Sequence, residues 1–382
     1  MAIVHAPMAV PLFDTASTLA AIADDVRAKV AEVLDAGRFV LGPEVAAFER
    51  EFAAYVGARH AVGVANGTDA ITLALRALGV GPGDDVVVPS FTFYASAEAI
   101  PHAGARPVFC DVDPETFCVT ADTVRAALTP RTKAVLAVHL FGNVAPVEAI
   151  AALGVPVVED AAQAAGSIAP GGRRPGALGA IATFSFYPSK NLGAFGDGGA
   201  VTTSDAHIAE RLRMLRFHGS RDKQTFELVG YNSRLDELQA AILRVQLPHL
   251  DRWCDGRRAA AAHYERAGLA DHVDLPVSPP GSRPAWHLYV VRHAEADALA
   301  ASLSSADIGS RGYYRVPVHR QPAMREWGAG VELPATEEAA RTNLALPMSP
   351  ALATREAEEV VGAVATALGR RGLPDAEAVN RV

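Results

Sequence analysis

Apolar residues recur every three or four positions over Leu19–Leu34 and again over Glu44–Tyr55, closing at Gly57, which predicts two amphipathic helices. From Ala61 the pattern changes. Short continuous apolar runs at Ala61–Val64, Val86–Val88, Arg106–Phe109, Ala134–Leu140 and Val155–Val158 alternate with helix-like stretches such as Thr68–Leu78 and Ala95–His102. Ile181–Phe186 and Ala200–Thr203 read as two more strands around a glycine-rich loop. Continuous strands rich in β-branched residues, alternating with amphipathic helices, predict an α/β fold: a mostly parallel sheet covered on both faces.

After Leu235 the character shifts. A long helical pattern runs through Leu238–Leu250 towards Tyr264, and Pro276–Pro284 is a Pro/Gly/Ser-rich break. One good strand, His287–Val291, and helices at Ala294–Leu303 and Arg355–Leu368 follow. The expected division is a large domain over 1–250 and a smaller one over 251–382. No internal repeat is visible, and the last dozen residues are polar and expected to fray.

The 382-residue length suits two domains, and an ordinary charged fraction with a net charge of −8 leaves no nucleic-acid footprint. Cys110, Cys118 and Cys254 are widely spaced, against a disulfide framework or a structural zinc, and no metal is expected. The opening MAIVHAPMAVPLFD lacks the basic and apolar regions of a signal peptide, and no stretch is apolar enough to span a bilayer. A cytoplasmic enzyme of small metabolites is the expectation. Only four of the basic residues are lysines: Lys29, Lys133, Lys190 and Lys223.

Four features fall at the ends of predicted strands, where open α/β sheets bind ligands. Asn66-Gly67-Thr68-Asp69 opens a helix, whose free N–H groups suit a phosphate; taken alone, a simple N-cap by Thr68 or Asp69 is the readier explanation. Asp160 ends an apolar strand, with Gln163 three residues on. Its carboxylate can hold a pyridinium proton or merely cap a helix. Lys190, in Ser185-Phe186-Tyr187-Pro188-Ser189-Lys190, enters a loop with four glycines. Desolvated there, it makes a competent Schiff-base amine. The other three lysines sit on an amphipathic helix, in a turn and in a charged loop. Finally, Ser233 and Asp236 have the spacing of a capping box, leaving Asn232 and Arg234 as candidate polar contacts.

In their order these motifs resemble the DegT/DnrJ/StrS sugar aminotransferases, of the fold-type-I pyridoxal-phosphate enzymes, over nearly the whole chain. The likeness extends to Pro89–Phe93, Asp111–Asp113, His139–Gly142, Arg216–Gly219, Pro317–Ala323 and Leu333–Glu337. It implies a three-layer large domain with a smaller C-terminal α/β domain. It also implies pyridoxal 5′-phosphate (PLP) carried by Lys190, a pyridine nitrogen held by Asp160, and phosphate held at Gly67, Thr68 and Ser185. Phe93 falls where the family stacks an aromatic ring on the pyridine. Asn232 matches a residue that reaches the neighbouring subunit's cofactor in a homodimer with shared active sites. Phe39, His139, Tyr187, His218, Arg234, Tyr314 and His319 lie in stretches that line the sugar side, where structural roles are equally open. Related dehydratases carry histidine at the lysine position, so Lys190 favours transamination.

The implied reaction moves an amino group from glutamate to a nucleotide-linked keto-sugar, with a lean towards dTDP-3-keto-6-deoxyhexoses. Two alternatives stand beside it: a PLP-binding regulatory protein without turnover, and an amino-acid aminotransferase, for which no carboxylate-binding arginine is evident. A Rossmann-type dehydrogenase lacks its G-x-G-x-x-G after the first strand.

Overall fold

The computed structural model describes residues 9–369. The polar C-terminal stretch expected to fray, the last dozen residues, lies outside them. Seven strands form the main sheet: β1 (His60–Val64), β2 (Asp85–Pro89), β3 (Arg106–Cys110), β4 (Thr132–Val138), β5 (Val157–Asp160), β6 (Ile181–Ser185) and β7 (Gly199–Thr203). They lie in the order β1-β7-β6-β5-β4-β2-β3. Pairings from β3 through β6 are parallel, whereas β7 runs antiparallel to both β6 and β1.

The strands alternate their side chains between two apolar layers, as a pleated sheet buried on both faces must. Val86, Val88, Ala134 and Leu136 join one core with the helix Gly67–Ala77, while Val87, Val135 and Ala137 join another. A third cluster packs Phe48 and Phe52, from the helix Pro43–Val56, against Phe184 and Phe186 of the β6 region. That helix ends at Gly57 in the left-handed conformation, φ +80°, the stop its glycine signals.

A two-stranded antiparallel sheet, β8 (Tyr289–Arg292) with β9 (Asn343–Leu346), sits under the helices Leu250–Arg266, Ala296–Ser305 and Thr354–Gly369. Their shared core takes in Val10 from the N-terminal segment, which bridges Ile308. No helix among the described residues is long and apolar enough to cross a membrane.

Two local expectations are corrected. The helix at Gly67 is capped by Asn66, whose Oδ1 accepts the Asp69 N–H at 2.8 Å, so neither Thr68 nor Asp69 is the cap. Ser233 and Asp236 form no capping box: the helix starts at Glu237, and Ser233 Oγ instead accepts the Ala65 N–H.

Candidate active site

The site lies where β1, β2, β5 and β6 release the chain at their carboxyl ends. After β1, the helix Gly67–Ala77 aims its first turn at the end of β6. A Cβ on Gly67 would stand 2.7 Å from Cβ of Ser185, so only glycine lets the two segments close together. The first-turn amides and the hydroxyls of Thr68 and Ser185 thus form a small cradle of donors with a positive helix end behind it. Such a cradle fits a phosphate.

Asp160, the last residue of β5, is 5% exposed. Ser96 donates its hydroxyl to Oδ2 at 2.7 Å, and the Ala162 N–H reaches Oδ1 at 3.1 Å. Thr92 lies 3.0 Å behind Ser96. A carboxylate has about four acceptor positions, so Asp160 keeps capacity for a further donor such as a ring N–H. It caps no helix.

Lys190 follows β6 in a turn closed by its own N–H to the Tyr187 carbonyl, 2.8 Å. Its side chain is half-buried. Loss of water pushes the ammonium down to about 8, against the opposing pull of Asp160. Uncharged Lys190 therefore makes up about a tenth of the population at neutral pH, against about three in ten thousand for an ordinary lysine. Beside them Phe93 presents a ring that is 55% exposed, its centroid 5.9 Å from that of Tyr314. An apolar ring left this open is a platform for a flat ligand.

Gln163 sits at the same strand end, but its amide is engaged: Oε1 accepts the Phe141 N–H at 2.7 Å and Nε2 donates to the Tyr314 hydroxyl at 3.2 Å. It orients Tyr314 beside Asp160, and burial raises the phenol's pKa so that it stays protonated. Tyr187 is 56% exposed one turn before Lys190.

Two of the candidate substrate residues do not reach this site. His139 is fully buried on the opposite face of the sheet, where its Nε2 meets Glu159 at 3.0 Å and its Nδ1 accepts the Ala145 N–H. Both nitrogens are spent, so it holds structure. His319 is buried against Ser90, 2.6 Å from the hydroxyl, and pins the Val318–Arg320 turn to the end of β2. Phe39, Asn232, Arg234 and His218 gather on a separate stretch. The Phe39 carbonyl accepts the Glu237 N–H, Asn232 bridges Phe217, and Arg234 lies over the Phe217 ring. Asn232 and His218 are exposed there, and Ser233 ties the stretch to Ala65, two residues before Gly67.

The profile of the DegT/DnrJ/EryC1/StrS aminotransferase family matches residues 20–365. The chain belongs to this family. A dTDP-3-amino-3,4,6-trideoxy-alpha-D-glucose transaminase from Streptomyces venezuelae is 49% identical over 364 residues, covering 93% of this chain and 95% of that protein. A pleiotropic regulatory protein from Geobacillus stearothermophilus is 44% identical over 366 residues, with 94% and 98% covered. A crystal structure of S. venezuelae DesV in complex with a ketimine intermediate superposes with a TM-score of 0.90 at 47% identity, over 94% of this chain and 98% of that one. The chain is a PLP-dependent aminotransferase of fold type I. Its donor set fits the cofactor: a phosphate cradle that tolerates no Cβ at Gly67, a buried carboxylate with a free acceptor, a lysine of lowered pKa and an open aromatic ring.

Reading the sequence missed Ser96 and Thr92, which carry no motif and reach Asp160 only through the fold.

Proposed function

We propose that this aminotransferase moves an amino group from glutamate to a nucleotide-linked keto-sugar, with dTDP-3-keto-6-deoxyhexoses as the substrate class. The observation that carries the chemistry is the placement of Lys190, just past the end of β6 and with its ammonium pushed down by loss of water, within the field of the buried Asp160 carboxylate at the end of β5. When bound, PLP supplies an aldehyde that captures nitrogen and a ring that takes up electron density. Lys190 Nζ holds the cofactor and then, as a free amine, takes a proton from one carbon and returns it to another. Asp160 accepts the pyridine N–H and keeps it protonated. Gly67, Thr68 and Ser185 hold the phosphate, fixing the ring so that the proton's path stays short. Phe93 packs on the ring, and Gln163 sets the Tyr314 hydroxyl beside it. The likeness to the Streptomyces transaminase supports the sugar class.

Phe39, Tyr187, His218 and Arg234 are assigned to the sugar side, and Asn232 to the cofactor phosphate of a second copy in a homodimer. The exposure of Asn232 and of the Phe93 and Tyr187 rings supports that assembly. The cofactor-binding part is assigned to 1–250 and the smaller part to 251–382, with Val10 crossing over to pack in the core of the smaller part. The cytoplasm is the assigned compartment, in keeping with three unpaired cysteines. The likeness to a regulatory protein raises a second reading, binding without turnover, which the spare acceptor on Asp160 and the deprotonable Lys190 speak against. Lys190→Ala tests the proposal: the visible absorbance of the bound cofactor and turnover of glutamate with a dTDP-keto-sugar are both expected to vanish. Full turnover in that variant contradicts it.

A further inference from the structure

Phe39 and Val40 stand at the tip of a short loop, 46% and 49% exposed. Apolar side chains this open contribute little packing, so the loop is held from elsewhere. Leu41, next along, takes φ +49°, a left-handed conformation that leucine keeps only where its surroundings over-determine it. The hold comes from Glu237, which is 1% exposed. Its Oε1 accepts the N–H groups of Gly42 and Val45 at 2.7 and 2.9 Å, and its Oε2 accepts the Glu44 N–H at 2.9 Å. A helix cap alone accounts for those three bonds, since they close the first turn of Pro43–Val56. It does not account for the other side of the loop. There the Glu237 N–H donates to the Phe39 carbonyl at 3.1 Å, and Val40 bridges Asp236. One residue thus grips Phe39–Gly42 at both ends, through its backbone and through its carboxylate. Gly42 permits the grip, because a Cβ there would stand 2.6 Å from Glu237 Oε2.

The helix that Glu237 opens, Glu237–Gln246, also reaches the loop that carries Lys190. Gln239 Oε1 accepts the Phe195 N–H at 2.8 Å, and the buried Gln246 donates Nε2 to the Gly193 carbonyl at 2.7 Å. Just before the helix, Ser233 accepts the Ala65 N–H beside the phosphate cradle. The Phe39 loop, the lysine loop and the cradle are therefore all referred to one element, and among these side-chain ties only that of Glu237 is charged. We infer that Glu237 is a positioning residue for the keto-sugar: it fixes where Phe39 meets the acceptor, and so where the acceptor's carbonyl carbon comes to rest. It touches no reacting atom. A reacting carbon misplaced by about an ångström costs about a hundredfold in rate, which is what a rigid contact surface guards against. The inference rests on the assignment of Phe39 to the sugar side and deepens it.

The test follows the cofactor absorbance of holoenzyme mixed with glutamate alone, then measures a dTDP-keto-sugar separately on enzyme loaded with the aminated cofactor. In Glu237→Gln one of the three N–H groups faces an amide NH₂ instead of an oxygen, and half-saturating sugar is expected to rise by about tenfold. Half-saturating glutamate stays within about twofold. Gly42→Ala displaces the same carboxylate with its charge kept, and is expected to shift the sugar in the same direction. A double-mutant cycle shows whether Glu237 acts through Phe39. In a Phe39→Ala background, Glu237→Gln is expected to raise half-saturating sugar by no more than about twofold further. Unchanged sugar saturation in Glu237→Gln or in Gly42→Ala overturns the inference. So does additivity in the cycle, and so does a proportional loss of both half-reactions with a lowered denaturation midpoint, which makes Glu237 a helix cap and nothing more. Failure of the underlying reading looks different and takes the inference with it: Phe39→Ala alone leaves sugar saturation unchanged, or wild-type holoenzyme leaves its absorbance unchanged with glutamate.

Discussion

Glu159 and Asp160 are neighbours on one strand, both acidic and both buried, yet the two faces of β5 put them to opposite uses. Glu159 is saturated. The N–H groups of Leu178 and Gly179 reach Oε1 at 2.9 and 2.7 Å, while Gly176 N–H and His139 Nε2 reach Oε2 at 3.1 and 3.0 Å. Because His139 Nδ1 accepts the Ala145 N–H, Nε2 must carry the hydrogen. Even the turn around it is shaped to the carboxylate: a Cβ on Gly179 would stand 2.7 Å from the Val157 carbonyl. Asp160, one residue on, has two donors and looks towards Lys190. A buried charge whose acceptors are filled is structure, and one with acceptors to spare is chemistry.

The contrast is broken most directly by substituting the two acids separately. Glu159→Ala leaves three buried or part-buried N–H groups and a buried imidazole without a partner, and is expected to cost about 3–5 kcal/mol of stability in denaturant titration. The activity of whatever remains folded should be near normal. Asp160→Asn is expected to do the reverse, lowering turnover by about a hundredfold or more with little change in the unfolding midpoint. If both variants lose stability alike with equal residual activity, the division fails. Ser96→Ala removes one of the two donors to Asp160 and should lower turnover by about tenfold, the value of a hydrogen bond to a charged group. The smallest effect concerns pH. Only uncharged Lys190 captures the aldehyde, so the rate at which cofactor-free protein takes up PLP should climb as pH rises and level off above about 8. The drop from pH 8 to pH 7 is about fivefold. A climb continuing past pH 10 means that Lys190 is an ordinary solvated lysine.

Much of this was legible in the residues because strand ends have a recognisable chemistry. Asp160 and Lys190 each follow an apolar run, and the shortage of lysines made Lys190 stand out. The reversed direction of β7 was not legible, since a strand's periodicity is the same whichever way it runs. Nor was β9, whose four residues follow a helix too closely to show a period of their own. His139 and His319 looked like ligands because a sequence cannot say which face a side chain takes, and here both point into packed interiors. Ser233 and Asp236 had capping-box spacing, but Glu237, behind them, turned inward to receive the N–H groups of Gly42, Glu44 and Val45 at the start of another helix. Long-range partners of this kind have no local signature.

The central claim is that one lysine carries the cofactor. Borohydride reduction of the holoenzyme followed by peptide mapping tests it most directly, because the chain has only four candidates. The cofactor mass is predicted on the peptide containing Lys190 and on no other. A label on Lys29, Lys133 or Lys223, or no label at all, contradicts the account.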